Sequence, residues 1–275
     1  MGHFEPIHDA HAIDQVGLVL QFNGPIPLNE SGTTAVWTVA DAFKDELPAS
    51  TNLQPISLWM GAAPPGLRFP VSGRALASVQ RDGTIERELR VDLTSIAFRS
   101  MTYTRWDAVW KQVSRYFDVL MPAYLAAGVA LSGISLNFVD KFVWSGELAE
   151  MRPKSLLRPR SQYVAPHVYE ASDLWHCYTG AFTRIDGFVK RLLNINIDCL
   201  EDTQTQTGAT RRLVSITTVV TDMLNQPGYA RHIATEQEAT AFVQQQFQAL
   251  HAFSKSELMA VIDDHMCKRI GLEAK

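Results

Sequence analysis

Apolar and polar residues alternate strictly over residues 193–200, which read Leu-Asn-Ile-Asn-Ile-Asp-Cys-Leu. Successive side chains of a strand point to opposite faces, so this period of two places the apolar set on one face. Asn194, Asn196 and Asp198 then form a row on the other face. Such a strand is typical of a sheet with one buried side and one hydrated side. The segment therefore predicts a sheet whose hydrated face carries three polar groups.

Further strands are predicted where alternating or apolar runs are bounded by turn residues. They fall at 16–22, 74–80, 85–103, 129–144, 174–185, 188–200 and 211–224. Two Asp-Gly pairs, Asp82-Gly83 and Asp186-Gly187, are typical of tight hairpin turns. A polar loop is predicted from Gln204 to Thr210. Short connections between consecutive strands indicate antiparallel pairing.

Helical spacing predicts long amphipathic helices at 105–127 and again after residue 235. Thr104 with Asp107 offers an N-cap for the first, and Thr235 with Glu238 forms a capping box for the second. Ser254 and Glu257 repeat the device and predict that another helix begins there. The fold class that follows is α+β, with antiparallel sheets covered on one face by long amphipathic helices. The alternative that the chain consists of two similar halves, from an ancient duplication, is left open.

Three segments are predicted along the chain. Residues 1–146 form an N-terminal α+β half, and residues 173–275 form a C-terminal one. A connector between them, 147–172, contains three prolines and four cationic residues. The cations could bind phosphate or an acidic partner, or they could be the solvated face of an ordinary linker.

The composition limits the partners and the compartment. A net charge of −4 argues against nucleic acid or an anionic membrane as a non-specific partner. The longest apolar-leaning stretch, 119–136, is interrupted too often to cross a bilayer unaided. The N-terminus has no basic stretch followed by an apolar run, so no secretory signal is expected. Three widely spaced cysteines favour reduced thiols and a cytoplasmic location.

The chain carries no spacing that demands a particular chemistry. Motifs such as H-E-x-x-H, G-x-S-x-G and the Walker A and dinucleotide fingerprints are missing from the sequence. His176 and Cys177 are neighbours on a predicted strand and point to opposite faces, so they cannot activate each other. Two histidine clusters, around His8 and His265, could be metal ligands, but frayed or solvated positions are the favoured interpretation. No cofactor and no metal are expected.

Candidate binding residues come from the hydrated face and from the connector. A plain water-facing sheet is the alternative interpretation, and a histidine packed against aromatic residues is the alternative for His176. The candidates are His176, Tyr178, Asn194, Asn196, Asp198, Arg152, Lys154, Arg158 and Arg160.

Several segments resemble a family of similar length that is scattered sporadically among bacteria and archaea and whose function is uncharacterised. The resemblance lies in the opening Glu5-Pro6-Ile7, the strand 16–22, the central segment 134–141, and the ending 250–253 that leads to Met266. Asn137 and Phe138 stand where relatives tend to have an arginine-rich, tyrosine-containing segment. The resemblance implies an accessory role such as defence or toxin neutralisation. It transfers no catalytic residue.

The leading hypothesis is therefore a non-enzymatic, cytoplasmic binding or adaptor protein with a protein partner. It would use a sheet face, the basic connector, or an exposed patch around Trp59, Met60 and the apolar-rich loop 64–67. The rival is an enzyme or a small-ligand-binding protein with a pocket between the two halves, lined by His176, Tyr178, Asn194, Asn196 and the connector arginines. A homodimer is left open.

Overall fold

The computed structural model describes residues 2–29, 34–54, 71–185, 189–203, 210–224 and 235–272. Within these ranges there are ten strands. They are β1 (His3–Pro6), β2 (Ile13–Phe22), β3 (Ala49–Leu53), β4 (Gly73–Val79), β5 (Ile85–Asp92), β6 (Ser95–Ser100), β7 (Leu131–Ser145), β8 (Trp175–Arg184), β9 (Lys190–Thr203) and β10 (Thr210–Met223).

Four α-helices occur in the same ranges: α1 (Ala35–Ala40), α2 (Trp106–Ala126), α3 (Glu236–Val261) and α4 (Asp264–Arg269). Short 3-10 helices lie at Asp41–Phe43, Leu148–Glu150, Pro153–Ser155 and Pro166–Glu170.

The strands form one antiparallel sheet. Hydrogen-bonded neighbours follow the order β3-β4-β5-β6-β2-β7-β10-β9-β8, and β1 pairs with β7. The predicted hairpin at Asp82-Gly83 is confirmed, because β4 and β5 pair antiparallel around it. Gly83 has a φ of 88°, and the Asp82 carboxylate accepts a hydrogen bond from the Thr84 amide at 2.9 Å. The turn therefore uses the conformational freedom of glycine and the side chain of aspartate.

The predicted fold class is wrong about the helices, because they do not cover the sheet. Strands account for 42% of the described residues and helices, 3-10 helices included, for 32%. A helix is about 10 Å in diameter, so one helix covers only about two strands, which lie roughly 4.8 Å apart. α1 and α4 have only six residues each. The periodicity correctly indicated buried helix faces, but it carries no information about how much of a sheet those faces cover.

The residues cluster into two compact units. One unit, unit 2, combines residues 17–134 and 224–244. Its aromatic core is built around two buried tyrosines of α2. The Tyr124 ring stacks on Phe22 at 4.1 Å between centroids, and the Tyr116 ring meets Phe43 edge-on at 4.6 Å. The Tyr124 hydroxyl donates to the Ser95 carbonyl at 3.0 Å, so its polar end is satisfied.

The other unit, unit 1, combines residues 1–16, 135–223 and 245–275. Its core includes fully buried Ile195 and Ile197 of β9 and Val261 of α3. The 147–172 segment contributes Leu156, whose carbonyl accepts from the Asp263 amide at 2.8 Å, and Leu157, which is also fully buried. Residues 147–172 belong to unit 1 as a whole. The domain boundaries predicted at 146 and 172 stay a prediction.

Of the three predicted helix starts, the one at Ser254 is wrong, the one at Thr235 is confirmed with its cap, and the one near residue 105 is confirmed without the predicted Thr104 cap. The capping box of Thr235 and Glu238 has both expected hydrogen bonds, at 3.1 and 3.2 Å. α3 continues through Ser254 without a break, because Ser254 is itself buried within the apolar stripe of the helix. α2 starts at Trp106, and its N-cap, Arg105, makes no side-chain capping bond.

Three predicted features lie outside the described residues. They are the Asp186-Gly187 turn, the patch of Trp59, Met60 and the loop 64–67, and residues 204–209 of the polar loop.

Candidate functional site

β8 and β9 form a long hairpin whose two faces differ in burial along β9, whereas β8 is exposed on both faces from Gly180 to Arg184. They pair antiparallel without a register shift, from Trp175 opposite Cys199 to Arg184 opposite Lys190. In β9 the odd-numbered residues from Leu193 to Cys199 are buried, and the even-numbered ones are not. The predicted alternation is therefore present in the structure. His176 is exposed and Cys177 is buried, which confirms that they point to opposite faces.

We call the exposed face of this hairpin the outer surface. Its side chains come from two adjacent strands and include His176, Tyr178, Phe182, Asn194, Asn196, Asp198 and Leu200. Tyr178 is 61% exposed and Phe182 is 57% exposed. The surface therefore combines large apolar rings with short amide and carboxylate groups, a mixture that is typical of protein-binding surfaces.

Exposed hydrophobic side chains are concentrated on and around this hairpin. Ten large hydrophobic side chains are exposed in the described part of the chain, and five of them belong here: Leu174, Tyr178, Phe182, Ile185 and Leu200. Scattered exposed apolar residues are normal on a protein surface, whereas half of those in the described part lying on or beside one hairpin calls for a functional explanation.

Polar contacts fix the rings of the outer surface. The Tyr178 hydroxyl donates to Asp198 Oδ1 at 2.7 Å, and this bond to a carboxylate raises the pKa of Tyr178. The His176 and Tyr178 rings lie 5.2 Å apart. The Lys190 ammonium lies 4.4 Å from the centroid of the Phe182 ring, within cation–π range. The two aromatic side chains thus have defined positions although solvent surrounds them.

Of the nine predicted site residues, the structure brings five together. His176 lies opposite Asp198, and Tyr178 lies opposite Asn196. Asn194, two residues before Asn196 in β9, lies opposite Gly180. All five lie on the outer surface.

The four connector cations make their contacts elsewhere. Arg152 donates to the carbonyls of Ala149 and Met151. Lys154 pairs with Glu170, and Arg158 pairs with Asp264 at 2.6 Å. Arg160 is exposed in a turn and has a φ of 60°. Three of these cations therefore stabilise the 147–172 segment, and the four do not converge on one ligand position.

The inner face of the hairpin carries a buried ion pair that sequence analysis missed. Arg191 Nε and Nη2 donate to the two carboxylate oxygens of Asp222 on β10, at 2.7 and 2.8 Å. The guanidinium also lies 4.8 Å from the centroid of the Phe253 ring of α3. A signal was available in the sequence: both charges occupy the buried parity of their strands, where a charge requires a partner.

A cavity of about 400 Å³ lies beside this ion pair. It is present because small residues, Thr179, Gly180 and Ala181, occupy β8 at this point. α3 contributes Phe253 and Glu257, and the Tyr163 hydroxyl donates to the Glu257 carboxylate. Burial, together with that bond, raises the pKa of Tyr163 to about 12. The cavity lies on the inner face, so the residues predicted to line a pocket, His176, Tyr178, Asn194 and Asn196, point away from it.

Asp140 on β7 is a second buried charge that sequence analysis did not single out. It is 2% exposed, and its Oδ1 has no hydrogen-bond partner among the described residues. Burial alone raises the pKa of this carboxyl to about 7. The acid is therefore largely protonated in the native protein below neutral pH.

The remaining chemistry-bearing residues do not form a further centre in the described ranges. Cys177, Cys199 and Cys267 are buried and free. Burial raises the pKa of Cys199 and of Cys267, which keeps both as thiols. No group of three or more His, Cys, Asp or Glu side chains in the described part is placed to hold a metal ion. None of the described helices has both the length and the apolar character needed to cross a bilayer.

No protein-family model matches the chain, and no curated protein matches it. Membership of the family that the sequence resembles therefore stays a prediction.

Proposed function

We propose that this chain is a non-enzymatic protein-binding module whose recognition surface is the outer surface of the β8–β9 hairpin. The observation that carries the proposal is the concentration of exposed rings, Tyr178 and Phe182, among fixed polar groups on a regular two-stranded support. Interfaces are enriched in aromatic residues because these bury much area and lose little side-chain entropy. A surface placed on strands is also pre-organised, which lowers the entropic cost of binding.

The free thiols support a reducing compartment, and we include a cytoplasmic location in the proposal. The accessory role in defence or toxin neutralisation rests on the resemblance alone. Nucleic acid is not the proposed partner, because the chain is acidic overall and most of its connector cations already contact carboxylates or carbonyls.

The test is partner capture with a matched pair of variants. Wild-type protein and the double variant Tyr178→Ser with Phe182→Ser are immobilised and exposed to native lysate. A second double variant, Val119→Ser with Leu148→Ser, removes two exposed apolar side chains from other places. We expect the wild type and the second variant to retain the same partner and the outer-surface variant to lose it. Equal capture by all three proteins would contradict the proposal.

The cavity on the inner face supports a second candidate function, the binding of a small polar ligand. Glu257, Tyr163 and Thr179 present polar groups to it, and Phe253 gives it an apolar wall. Ligands of this kind are detected by the rise they cause in the melting temperature. Ala181→Phe would fill the cavity from β8, so a rise that persists in this variant would place the ligand elsewhere.

A further inference from the structure

β8 is an end strand without the usual protection against pairing. Its one neighbour among the described strands is β9, and its ten residues pair with β9 without a bulge. The strand contains no proline and no charged residue before Arg184. An end strand presents a row of backbone N–H and C=O groups, and most proteins interrupt that row with proline, bulges or charges. Among the described residues, no other strand pairs with the outward edge of β8, and the 3-10 helix Pro166–Glu170 also contacts this strand.

The two rings of β8 are placed symmetrically about its exposed glycine. Tyr178 lies two residues before Gly180 and Phe182 lies two residues after it, so all three belong to the same face. Suppose that a second copy of β8 pairs antiparallel with Gly180 opposite Gly180. Tyr178 of each copy then faces Phe182 of the other. Two aromatic cross-strand pairs result, and such pairs are among the favourable ones on a sheet.

The same register fixes which polar residues meet at the ends of the seam. With Gly180 opposite Gly180, Arg184 of each copy lies opposite His176 of the other. Within its own hairpin, His176 lies opposite Asp198 of β9 and Arg184 lies opposite Lys190. The carboxylate of Asp198 is therefore one strand away from the seam, on the far side of His176.

Gly180 permits close approach of a second backbone, because it has no side chain on the outer surface. Its own hairpin also disfavours a larger residue here. A Cβ atom at this position would lie 2.6 Å from Asn194 Oδ1 and 2.7 Å from the Leu193 carbonyl oxygen.

We infer that two copies of this chain associate through β8, antiparallel and centred on Gly180, and so join two hairpins into one four-stranded segment. A seam of one strand pair is smaller than the roughly 1,200–2,000 Å² of a stable interface. The dissociation constant is therefore expected in the micromolar range. This inference goes beyond the proposed function, because it concerns self-association of the purified chain and not capture of a different protein.

The test is sedimentation velocity of the purified protein over a wide range of concentration, with charge variants that read the register. Tyr178→Lys with Phe182→Lys places like charges opposite each other in both cross-strand pairs. We expect dimerisation to weaken by at least about tenfold. Tyr178→Lys with Phe182→Glu places opposite charges there and should restore the dimer. Both positions are exposed, and circular dichroism verifies that each variant is folded.

Val119→Lys with Leu148→Lys is the matched control, since it adds two positive charges at exposed positions away from β8. It should dimerise like the wild type. Three results would overturn the inference: a wild type that stays monomeric at all concentrations, a dimer that the Lys–Lys variant leaves intact, or a Lys–Glu variant that fails to recover. None of these results bears on the lysate experiment, so the two proposals fail separately.

Discussion

The two end strands of the sheet, β3 and β8, solve the problem of an open edge in opposite ways. β3 has five residues, Ala-Ser-Thr-Asn-Leu, which are almost all exposed and carry no aromatic ring. Pro48 precedes it and Pro55 follows shortly after in the sequence. β8 has twice the length, two exposed rings and no proline. A short polar strand between prolines offers little to a second strand, whereas β8 offers a long, regular and partly apolar edge.

The strands next to these two edges also differ, although each carries an Arg–Asp pair. Arg74 of β4, beside β3, bonds to Asp41, and the two side chains are 24% and 35% exposed. Arg191 of β9, beside β8, bonds to Asp222, and these side chains are 9% and 0% exposed. One pair is thus partly solvated and the other is buried in unit 1. The strand beside β8 therefore carries a buried pair of charges, whereas the strand beside β3 carries a pair that solvent reaches.

Breaking each of the two ion pairs should give the largest difference in the free energy of unfolding. Asp222→Ala leaves the Arg191 guanidinium buried without a partner, and we expect a loss of about 3–5 kcal/mol in the free energy of unfolding. Asp41→Ala should cost no more than about 1 kcal/mol, because solvent can replace the lost carboxylate. Urea denaturation measures both values.

The double variant Arg191→Met with Asp222→Leu is the control for the first prediction. It removes both charges and should recover most of the loss. Similar losses for Asp222→Ala and Asp41→Ala would contradict the distinction between a sealed pair and a solvated one.

The stability of the protein should depend on pH because unit 1, which contains β8, has a buried acid. The Asp140 carboxyl has a native pKa of about 7 against a usual value of 3.8. The native state therefore binds the proton more tightly than the unfolded chain. The contribution of this carboxyl to the free energy of unfolding is fully present below about pH 4 and is lost as the pH rises through 7, by up to about 4 kcal/mol.

Asp140→Asn should remove this dependence. The variant and the wild type are expected to have similar urea midpoints at pH 4, and the variant should be the more stable protein at pH 8. A wild type whose stability relative to the variant does not fall between these pH values would show that the carboxyl is not held protonated.

Two glycine substitutions should separate an edge strand from an enclosed one. In β4, a Cβ at Gly73 would lie 2.8 Å from the Val91 carbonyl oxygen, and neighbouring strands flank this position on both sides. Gly73→Ala should cost about 2–3 kcal/mol. Gly180→Ala meets a similar obstacle, but β8 can move outward, so we expect about 1 kcal/mol. Thermal unfolding gives the order, and a larger loss for Gly180→Ala would mean that the β8 edge is not free.

The smallest effect concerns the outer surface itself. Asp198→Asn removes the carboxylate that raises the pKa of Tyr178, so that pKa should fall towards its ordinary value. Both residues are exposed or half-buried, and we expect stability to change by less than about 0.5 kcal/mol. Ultraviolet absorbance follows the ionisation of the tyrosines, and Tyr178→Phe identifies the signal. An unchanged titration in Asp198→Asn would exclude the hydrogen bond in solution.

Strands and turns could be predicted from the sequence because their signals are local. The alternation at 193–200 and the turn at Asp82-Gly83 each specify a structure within a few residues. Helix limits were harder. Ser254 looks like a cap by its spacing to Glu257, but its position in the buried stripe of α3 decides the outcome. Burial of Ser254 therefore outweighed its local preference for capping a helix.

The site was predictable in part, for the same reason. His176, Tyr178, Asn194, Asn196 and Asp198 share one strand parity, and the structure places them on one surface. The sequence could not show that β8 is an end strand, because strand order depends on contacts between distant segments. It also could not show that Lys154 and Arg158 pair with Glu170 and Asp264, since the second of these partners is more than a hundred residues away.

The composition of unit 1 from three separate stretches of chain has a consequence for biosynthesis. Translation delivers the N-terminal residues first, yet residues 1–16 have their unit partners in 135–223 and 245–275. β8 and β9 end before residue 204 and α3 begins at Glu236, so the hairpin leaves the ribosome before α3 does. During that interval the apolar inner face of the hairpin has no helix to shield it. A nascent chain that stalls before residue 245 should therefore be a preferred client of chaperones.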